Sequence, residues 1–149
     1  MATPGTTTAG ATRATGLVVD ASVSAAWFLP DEATAFTEAA LQATAQCAVW
    51  VPSLWLLEIG NLFISAQRRK RIDAAQRKAL LGAAQGLRLL VDREPVSMQR
   101  IDGLAEQYGL TAYAAAYLEL ALRRQLPLAT LDAALTVATT QAGVPIFEI

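Results

Sequence analysis

The fold is decided by residues 16–22, GLVVDAS, where an apolar run with two β-branched residues meets a carboxylate. A short, continuous apolar run bounded by turn residues is typical of a strand that is buried on both faces of a parallel sheet. Asp20 is then expected at the carboxyl end of this strand, where open α/β sheets bind their ligands. Aspartate is also a good helix N-cap, so the stretch by itself leaves a purely capping role for Asp20 open.

The composition limits the chemistry that the chain can carry out. Its 149 residues include no histidine, which excludes Ser-His and Cys-His catalysis and zinc sites built on histidine. Cys47 is the only cysteine, so an internal disulfide is excluded and a reducing, cytoplasmic compartment is expected. Carboxylates therefore remain as the groups for site chemistry.

The chain carries few charges for its size. Charged residues make up 17% and apolar residues 54%, whereas a charged share of roughly 25% is typical of globular domains. Such a surface suggests that a second copy or another partner covers part of it. The net charge of −1 gives no overall attraction to nucleic acid, so a polyanion needs a local basic patch. Because no run of about 18 apolar residues occurs, we expect no membrane span.

Strand-like and helix-like stretches alternate along the chain. We expect residues 1–15, rich in Ala, Thr and Gly, to be a disordered leader and residues 16–149 to form a single domain. Strands are predicted at residues 17–19, 47–52, 89–93, 127–132 and 144–147. Helices are predicted to begin near residues 23, 34, 54, 73, 97, 111 and 133. This alternation predicts a three-layer α/β/α fold with a central, mostly parallel sheet of four to five strands.

Residues 54–64, LWLLEIGNLFI, predict a helix that is apolar nearly all round, as buried helices are. Glu58 and Asn61 are spaced i, i+3 in this helix and therefore share a face. A glutamate in such surroundings is costly unless it is paired or binds a cation. A salt bridge to a nearby arginine is the alternative explanation for Glu58.

A basic run closes the same helix and consists of Arg68, Arg69, Lys70 and Arg71. Cations at a helix carboxyl end complement the helix dipole and are usually solvated. The alternative is that the basic run contacts phosphates beside a carboxylate site. Three tryptophans offer rings that could stack on bases, but their apolar surroundings favour core positions for Trp27, Trp50 and Trp55.

Four stretches together resemble the PIN-domain nucleases, and within that group the VapC toxins of bacterial toxin–antitoxin pairs. They lie at residues 18–22 (VVDAS), 51–61 (VPSLWLLEIGN), 110–121 (LTAYAAAYLELA) and 128–132 (LATLD). Each stretch is weak by itself, but all four follow the family's order and spacing. The resemblance implies a carboxylate site whose acids fall on Asp20, Glu58 and Asp132. Polar positions that line or brace the family's site fall on Ser22, Asn61 and Thr130.

The chain departs from the family pattern at one acid. Family members carry an aspartate after the tyrosine of the Thr-Ala-Tyr helix, and this sequence has Ala114 there. The departure is explained either by a deliberate inactivating change, since a toxic nuclease is hard to produce intact, or by a natural member that binds without cutting. The otherwise complete motif favours the first explanation.

The resemblance implies the activity as well. Family members hold Mg²⁺ or Mn²⁺ among their carboxylates, and the ion activates a water that attacks an RNA phosphodiester bond. We therefore expect a metal-dependent endoribonuclease, the toxin of a type II pair, whose cleavage is much reduced or absent because of Ala114. The alternative is a catalytically silent module that binds antitoxin or RNA without cleavage. A phosphatase of the haloacid dehalogenase type is disfavoured because it needs a second aspartate where Ser22 stands.

The implied partners are an RNA substrate, a second copy of the chain and a VapB-type antitoxin. In the family, the antitoxin's carboxyl-terminal segment blocks the site, often by placing an arginine among the acids. The two acid sites of the family's homodimer lie along a shared basic groove, and the basic run at Arg68 to Arg71 is the candidate for RNA contact in that groove.

Overall fold

The structure of the protein, a computed structural model, describes residues 16–149, so the expected leader at residues 1–15 lies outside the described part. All strand pairs of the sheet are parallel, in the order β3-β2-β1-β4. The strands are β1 Gly16–Val19, β2 Ala48–Pro52, β3 Leu89–Asp92 and β4 Leu128–Ala129. The helices of the described part are α1 Ala21–Ala25, α2 Ala35–Ala43, α3 Leu54–Arg68, α4 Ala74–Gln85, α5 Met98–Tyr108, α6 Ala112–Arg124 and α7 Ala133–Gln141.

Helices cover both faces of the central strand β1, because successive side chains of a strand point to opposite sides. Val18 belongs to a buried cluster with Leu118 of α6 and Leu135 of α7. Val19 faces the other way and packs in a cluster with Ala40 of α2. The predicted three-layer α/β/α class with a parallel sheet is therefore confirmed. Within residues 16–149, no helix is long and apolar enough to cross a bilayer.

The strand β1 approaches β2 closely at its first residue. A Cβ atom added at Gly16 would lie 2.7 Å from the carbonyl oxygen of Ala48, which is closer than real side chains come. Glycine is therefore required at this position by space rather than by its backbone angles.

Three predicted elements differ in their bounds from the structure, and one of them is β4, which ends at Ala129 rather than at Asp132. The helix α1 begins at Ala21 rather than near Val23, because Asp20 is its N-cap and accepts a hydrogen bond from the backbone N–H of Val23. The expected last strand at residues 144–147 is reduced to a single parallel bridge between Leu128 and Ile146. Proline at position 145 has no N–H to extend this pairing, although its carbonyl oxygen accepts from the N–H of Leu128.

The prediction that α3 is buried nearly all round is wrong. Trp55, Ile59 and Phe63 form its buried stripe, whereas Leu56 and Leu57 are 50% and 75% exposed. The neighbouring helix α4 has no fully buried residue. Apolar composition indicated burial on all sides here, but the sheet and α4 cover only one side of α3.

The end of β3 carries an ion-pair network that the sequence did not predict. Asp92 is 4% exposed, and its two carboxylate oxygens accept hydrogen bonds from Arg123 at 3.0 Å and from Arg124 at 2.8 Å. Arg123 also bonds Glu119 at 2.8 Å, and the guanidinium of Arg124 lies 3.4 Å from the ring centre of Trp50. Burial raises the pKa of Asp92, but the hydrogen bonds and charges of the two arginines outweigh it, so that the pKa lies below its ordinary value.

We predict that Asp92→Asn destabilises the protein at pH 7 by about 1–3 kcal/mol, because two half-buried guanidinium groups lose their counter-charge. Since the folded pKa of Asp92 is lowered, its contribution is present above the unfolded pKa near 4 and is lost as pH falls through the folded pKa. Urea unfolding of both proteins between pH 7 and pH 3 should therefore show a difference that shrinks with acidification.

The matched control for this prediction is Asp31→Asn, which removes the exposed ion pair with Arg71 at 3.2 Å. An exposed pair contributes about 0–1 kcal/mol. An Asp92 variant no less stable than the Asp31 variant would contradict the structural role of the network.

Candidate functional site

One cavity of about 260 Å³ lies beyond the carboxyl end of β1 and brings together residues from four distant parts of the chain. The three predicted acids, Asp20, Glu58 and Asp132, all line it. Ala114, at the position of the missing acid, lines it as well. Residues that are separated by more than a hundred positions in sequence therefore share one small space.

Asp20 is the most tightly held of the three acids. It is 5% exposed, and its Oδ1 accepts hydrogen bonds from the hydroxyl of Ser22 at 2.6 Å and from the N–H of Val23 at 3.1 Å. Its Oδ2 accepts a hydrogen bond from the hydroxyl of Thr130. The capping role that the sequence left open is thus present, and it coexists with a position on the cavity wall.

The hydroxyls of Ser22 and Thr130 connect the loop after β4 to Asp20. Ser22 Oγ accepts from the N–H of Leu131 at 2.9 Å, and Thr130 Oγ1 accepts from the N–H of Asp132 at 3.0 Å. Each hydroxyl therefore donates to Asp20 while it holds the backbone that leads into α7. This arrangement fixes the loop that carries Asp132 relative to β1.

Asp132 lies on the exposed side of the site. The strand β4 ends at Ala129, so Asp132 follows a short turn and is the N-cap of α7 rather than the last residue of a strand. Its Oδ1 accepts from the N–H of Leu135 at 2.8 Å. Within residues 16–149, no hydrogen bond reaches its Oδ2.

Glu58 reaches the cavity from the second turn of α3 and is half-buried. Its partner is the hydroxyl of Tyr117 on α6, which donates to Oε1 at 2.6 Å. The alternative of a salt bridge from Glu58 to an arginine is therefore wrong for the described residues. A neutral phenol leaves the negative charge of the carboxylate uncompensated.

The charges of neighbouring acids affect the pKa values of Asp20 and Glu58. Burial raises the pKa of Asp20 against the hydrogen bonds of Ser22, Thr130 and Val23, and the charge of Asp132 raises it further. Burial likewise raises the pKa of Glu58 against the hydrogen bond from Tyr117, and the charge of Asp20 adds to the effect. Crowded carboxylates that lack a cation beside them hold their protons more tightly.

The acids of the cavity offer only oxygen atoms as ligands, and hard cations such as Mg²⁺ prefer oxygen ligands. Within residues 16–149, no three Asp, Glu or Cys side chains are gathered closely enough to ligate one ion together. Magnesium usually keeps several of its waters and is bound through one or two carboxylates. The acids present therefore fit an ion that is held partly through water rather than enclosed by the protein.

Other predicted site residues lie away from the cavity. Asn61 is exposed and does not line it. The basic run begins ten residues after Glu58, which is about 15 Å along the α3 axis. Its members are exposed, and Arg71 pairs with Asp31. The basic run is therefore not an immediate lip of the acid site.

Trp55 is buried in the core as expected, whereas Trp27 and Trp50 are half-buried. Trp55 is buried and its indole N–H donates to Ser24 Oγ at 2.8 Å, while that of Trp27 donates to the carbonyl of Thr37 at 2.9 Å. Trp50 is covered on one face by Arg124.

Sequence reasoning missed the part that α6 plays beyond Ala114. Thr111, Ala114 and Tyr117 follow one another at intervals of three residues and all line the cavity. Thr111 is the N-cap of α6, and its side chain accepts from the N–H of Ala114 at 3.1 Å. The i, i+3, i+6 spacing is the signal that identifies this shared face.

Comparisons with solved structures show the fold. The structure of PAE2754 from Pyrobaculum aerophilum matches with a TM-score of 0.62 and 24% identity, over 85% of this chain and 86% of that chain. The structure of FitAcB from Neisseria gonorrhoeae matches with a TM-score of 0.59 and 18% identity, over 89% of this chain and 96% of that chain. Neither a family model nor a curated protein matches the sequence. The PIN-like fold that the sequence predicted is confirmed.

We predict that the stability of Asp20→Asn relative to the parent falls as pH falls from 7, because asparagine keeps the helix cap but carries no buried charge at any pH. The folded pKa of Asp20 is raised, so the ionised carboxylate opposes folding at pH 7, and stability is regained as pH falls through the folded pKa towards the unfolded value. Thermal unfolding of both proteins between pH 7 and pH 3 should show the stability of the variant, relative to the parent, decreasing on acidification.

Asp73→Asn is the control, because Asp73 caps α4 in the same way but is exposed and outside the cavity. An Asp20 variant that loses several kcal/mol at pH 7 would show that the carboxylate itself holds the fold together.

Proposed function

We propose that the protein is the toxin of a type II toxin–antitoxin pair and acts as a Mg²⁺- or Mn²⁺-dependent endoribonuclease, weakened by Ala114. The observation that carries the proposal is the placement of Asp20, Glu58 and Asp132 on one cavity of a PIN-like fold. Burial raises the pKa of Asp20 and of Glu58, and no cationic side chain of the described residues pairs with either, which supports a role in binding a cation.

A bound Mg²⁺ or Mn²⁺ supplies an activated water and neutralises charge on the phosphate. The chemistry is hydrolysis: the water oxygen bonds to phosphorus, the bond from phosphorus to one ribose oxygen breaks, and that oxygen takes a proton. Asp20 would be the fixed ligand, since both its oxygens are oriented by hydrogen bonds. Glu58 and Asp132 each present one oxygen that no group of the described chain occupies, and these oxygens would hold the ion or its waters.

Ala114 removes one charge from this set. It lies in the first turn of α6, where its N–H is bonded to Thr111 Oγ1 and where helix geometry favours a negative group. An aspartate here places a fourth carboxylate on the cavity wall. Its absence weakens the hold on the cation, because each ligand charge contributes to divalent affinity.

We predict that Ala114→Asp raises Mg²⁺- or Mn²⁺-dependent RNA cleavage by at least about tenfold, the lower end of the change in affinity or activity that one supporting group of a metal site causes. Cleavage of a labelled RNA with and without EDTA measures this effect, and growth arrest on expression should rise in parallel. Ala112→Asp is the matched control, since it adds the same charge to the same helix turn on an exposed residue outside the cavity. Equal cleavage by the two variants would refute the proposed role of position 114.

The proposed partners are a second copy of the chain and a VapB-type antitoxin, in a cytoplasmic setting. The exposed leucines of α3 and the low overall charge support covered surfaces of this kind. An antitoxin arginine placed among the acids would satisfy them without a metal ion.

The proposed RNA contact of the basic run is with phosphates that flank the cleaved bond, given its distance of about 15 Å from Glu58 along α3. We predict that replacing Arg68, Arg69, Lys70 and Arg71 by Gln weakens RNA binding uniformly across sequences. For single-stranded RNA, the salt slope of log K should fall by about 0.7 for each phosphate that the variant no longer neutralises. Binding is best measured in the Asp20→Asn background, which separates it from cleavage.

Four exposed cations elsewhere, Lys78, Arg88, Arg93 and Arg100, provide the control variant. An unchanged affinity and salt slope after neutralising the basic run would remove it from the RNA interface, whatever the control shows.

A silent binding module is the second candidate function. It is favoured by Ala114 together with the lack, within residues 16–149, of three acids close enough to ligate one ion directly. The binding module would be supported over the nuclease if the Ala114→Asp variant bound RNA or an antitoxin peptide tightly and still did not cleave RNA.

A further inference from the structure

The hydroxyl of Tyr117 contacts the carboxylate of Glu58 at the wall of the acid cavity. Tyr117 is 2% exposed, and its ring packs in the core cluster with Val18, Leu118 and Leu128. Its hydroxyl emerges from this cluster at the cavity wall and donates to Glu58 Oε1 at 2.6 Å. The bond joins two helices whose residues are 59 positions apart in sequence. A rigid, buried ring therefore holds the end of a half-exposed, flexible side chain.

The same helix shows how the chain treats acids that serve structure alone. Less than two turns after Tyr117, Arg123 bonds both Glu119 and Asp92, and Arg124 also bonds Asp92, so that two guanidinium groups balance two carboxylates. A guanidinium beside Glu58 would likewise compete with any cation for the carboxylate. A phenol fixes the carboxylate through a hydrogen bond and adds no positive charge.

We propose that Tyr117 is the positioning residue of Glu58: it binds Oε1 and so turns Oε2 towards the cation site. The inference rests on the proposed function, because it assigns a metal-binding role to Glu58. The positioning of Glu58 should affect metal affinity more in a site that has Ala114 in place of an acid, since fewer ligands remain to hold the ion. The hydroxyl of Tyr117 is bonded to Glu58, so the proposed effect of Tyr117 on the ion passes through that carboxylate.

The test compares the parent chain with Tyr117→Phe, which keeps the ring and removes only the hydroxyl. Mn²⁺ affinity is measured by calorimetry and by electron paramagnetic resonance, in the parent sequence and again with Ala114→Asp. Loss of an outer partner of a metal ligand typically weakens affinity about 10–100-fold, and we expect at least a tenfold loss here. Tyr108→Phe is the control, because Tyr108 is half-buried at the end of α5 and outside the cavity.

If Tyr117 had a structural role alone, its replacement would change the stability of the fold, and its effect on Mn²⁺ affinity would not depend on Glu58. The second measurement is therefore a double-mutant cycle. In a Glu58→Gln background, Tyr117→Phe should cause no further loss of Mn²⁺ affinity. Full additivity of the two losses would overturn the inference, and so would an unchanged affinity in Tyr117→Phe.

A crystal structure of Tyr117→Phe separates this inference from the proposed function. If no variant binds Mn²⁺, the proposed function fails. The inference is then tested only by the position of the Glu58 carboxylate in the crystal structure of Tyr117→Phe. A carboxylate that leaves its position when the hydroxyl is absent supports the positioning role of Tyr117. A carboxylate that stays in place overturns it.

Discussion

The hydrogen bonds that converge on Asp20 are the constraint on which the site depends. Ser22 and Thr130 donate to its two oxygens while accepting from the backbone of residues 131 and 132. The same carboxylate caps α1, so one side chain sets the start of a helix, the course of the loop after β4 and the position of Asp132. Because these groups come from opposite ends of the chain, the site exists only when the parallel sheet has assembled.

A contrast in how acids are treated separates the site from the rest of the molecule. Asp92 ends β3, which β2 separates from β1, and is buried as deeply as Asp20, but two arginines satisfy it, and its pKa is lowered. Burial and neighbouring acids instead raise the pKa of Asp20 and Glu58, whose hydrogen-bond donors are neutral. Carboxylates left in this state are available to a cation, whereas Asp92 is already occupied. The hydrogen-bond donors, arginines for Asp92 and neutral groups for Asp20 and Glu58, therefore distinguish the acids of the cavity from the acid at the end of β3.

Local patterns predicted the elements well. The strand at residues 16–19 and the helices predicted to begin near residues 73, 97 and 111 lie where the local pattern places them. The placement of Asp20, Glu58 and Asp132 on one cavity follows from the parallel topology. The partners of these acids did not follow, because a hydrogen bond between Tyr117 and Glu58 depends on how α3 and α6 pack. The exposure of α3 was missed for a related reason: composition reports apolarity, but only the arrangement of layers decides which side is covered.

The exposed side of α3 has a practical consequence for work with the isolated chain. Leu57 and its neighbour Leu56 present aliphatic carbon to water on a surface that has few charges to keep molecules apart. Colloidal behaviour should therefore depend strongly on protein concentration, and light scattering will rise well before the fold itself is lost. Turbidity on heating would then report association of molecules through the exposed face of α3 rather than unfolding of the domain.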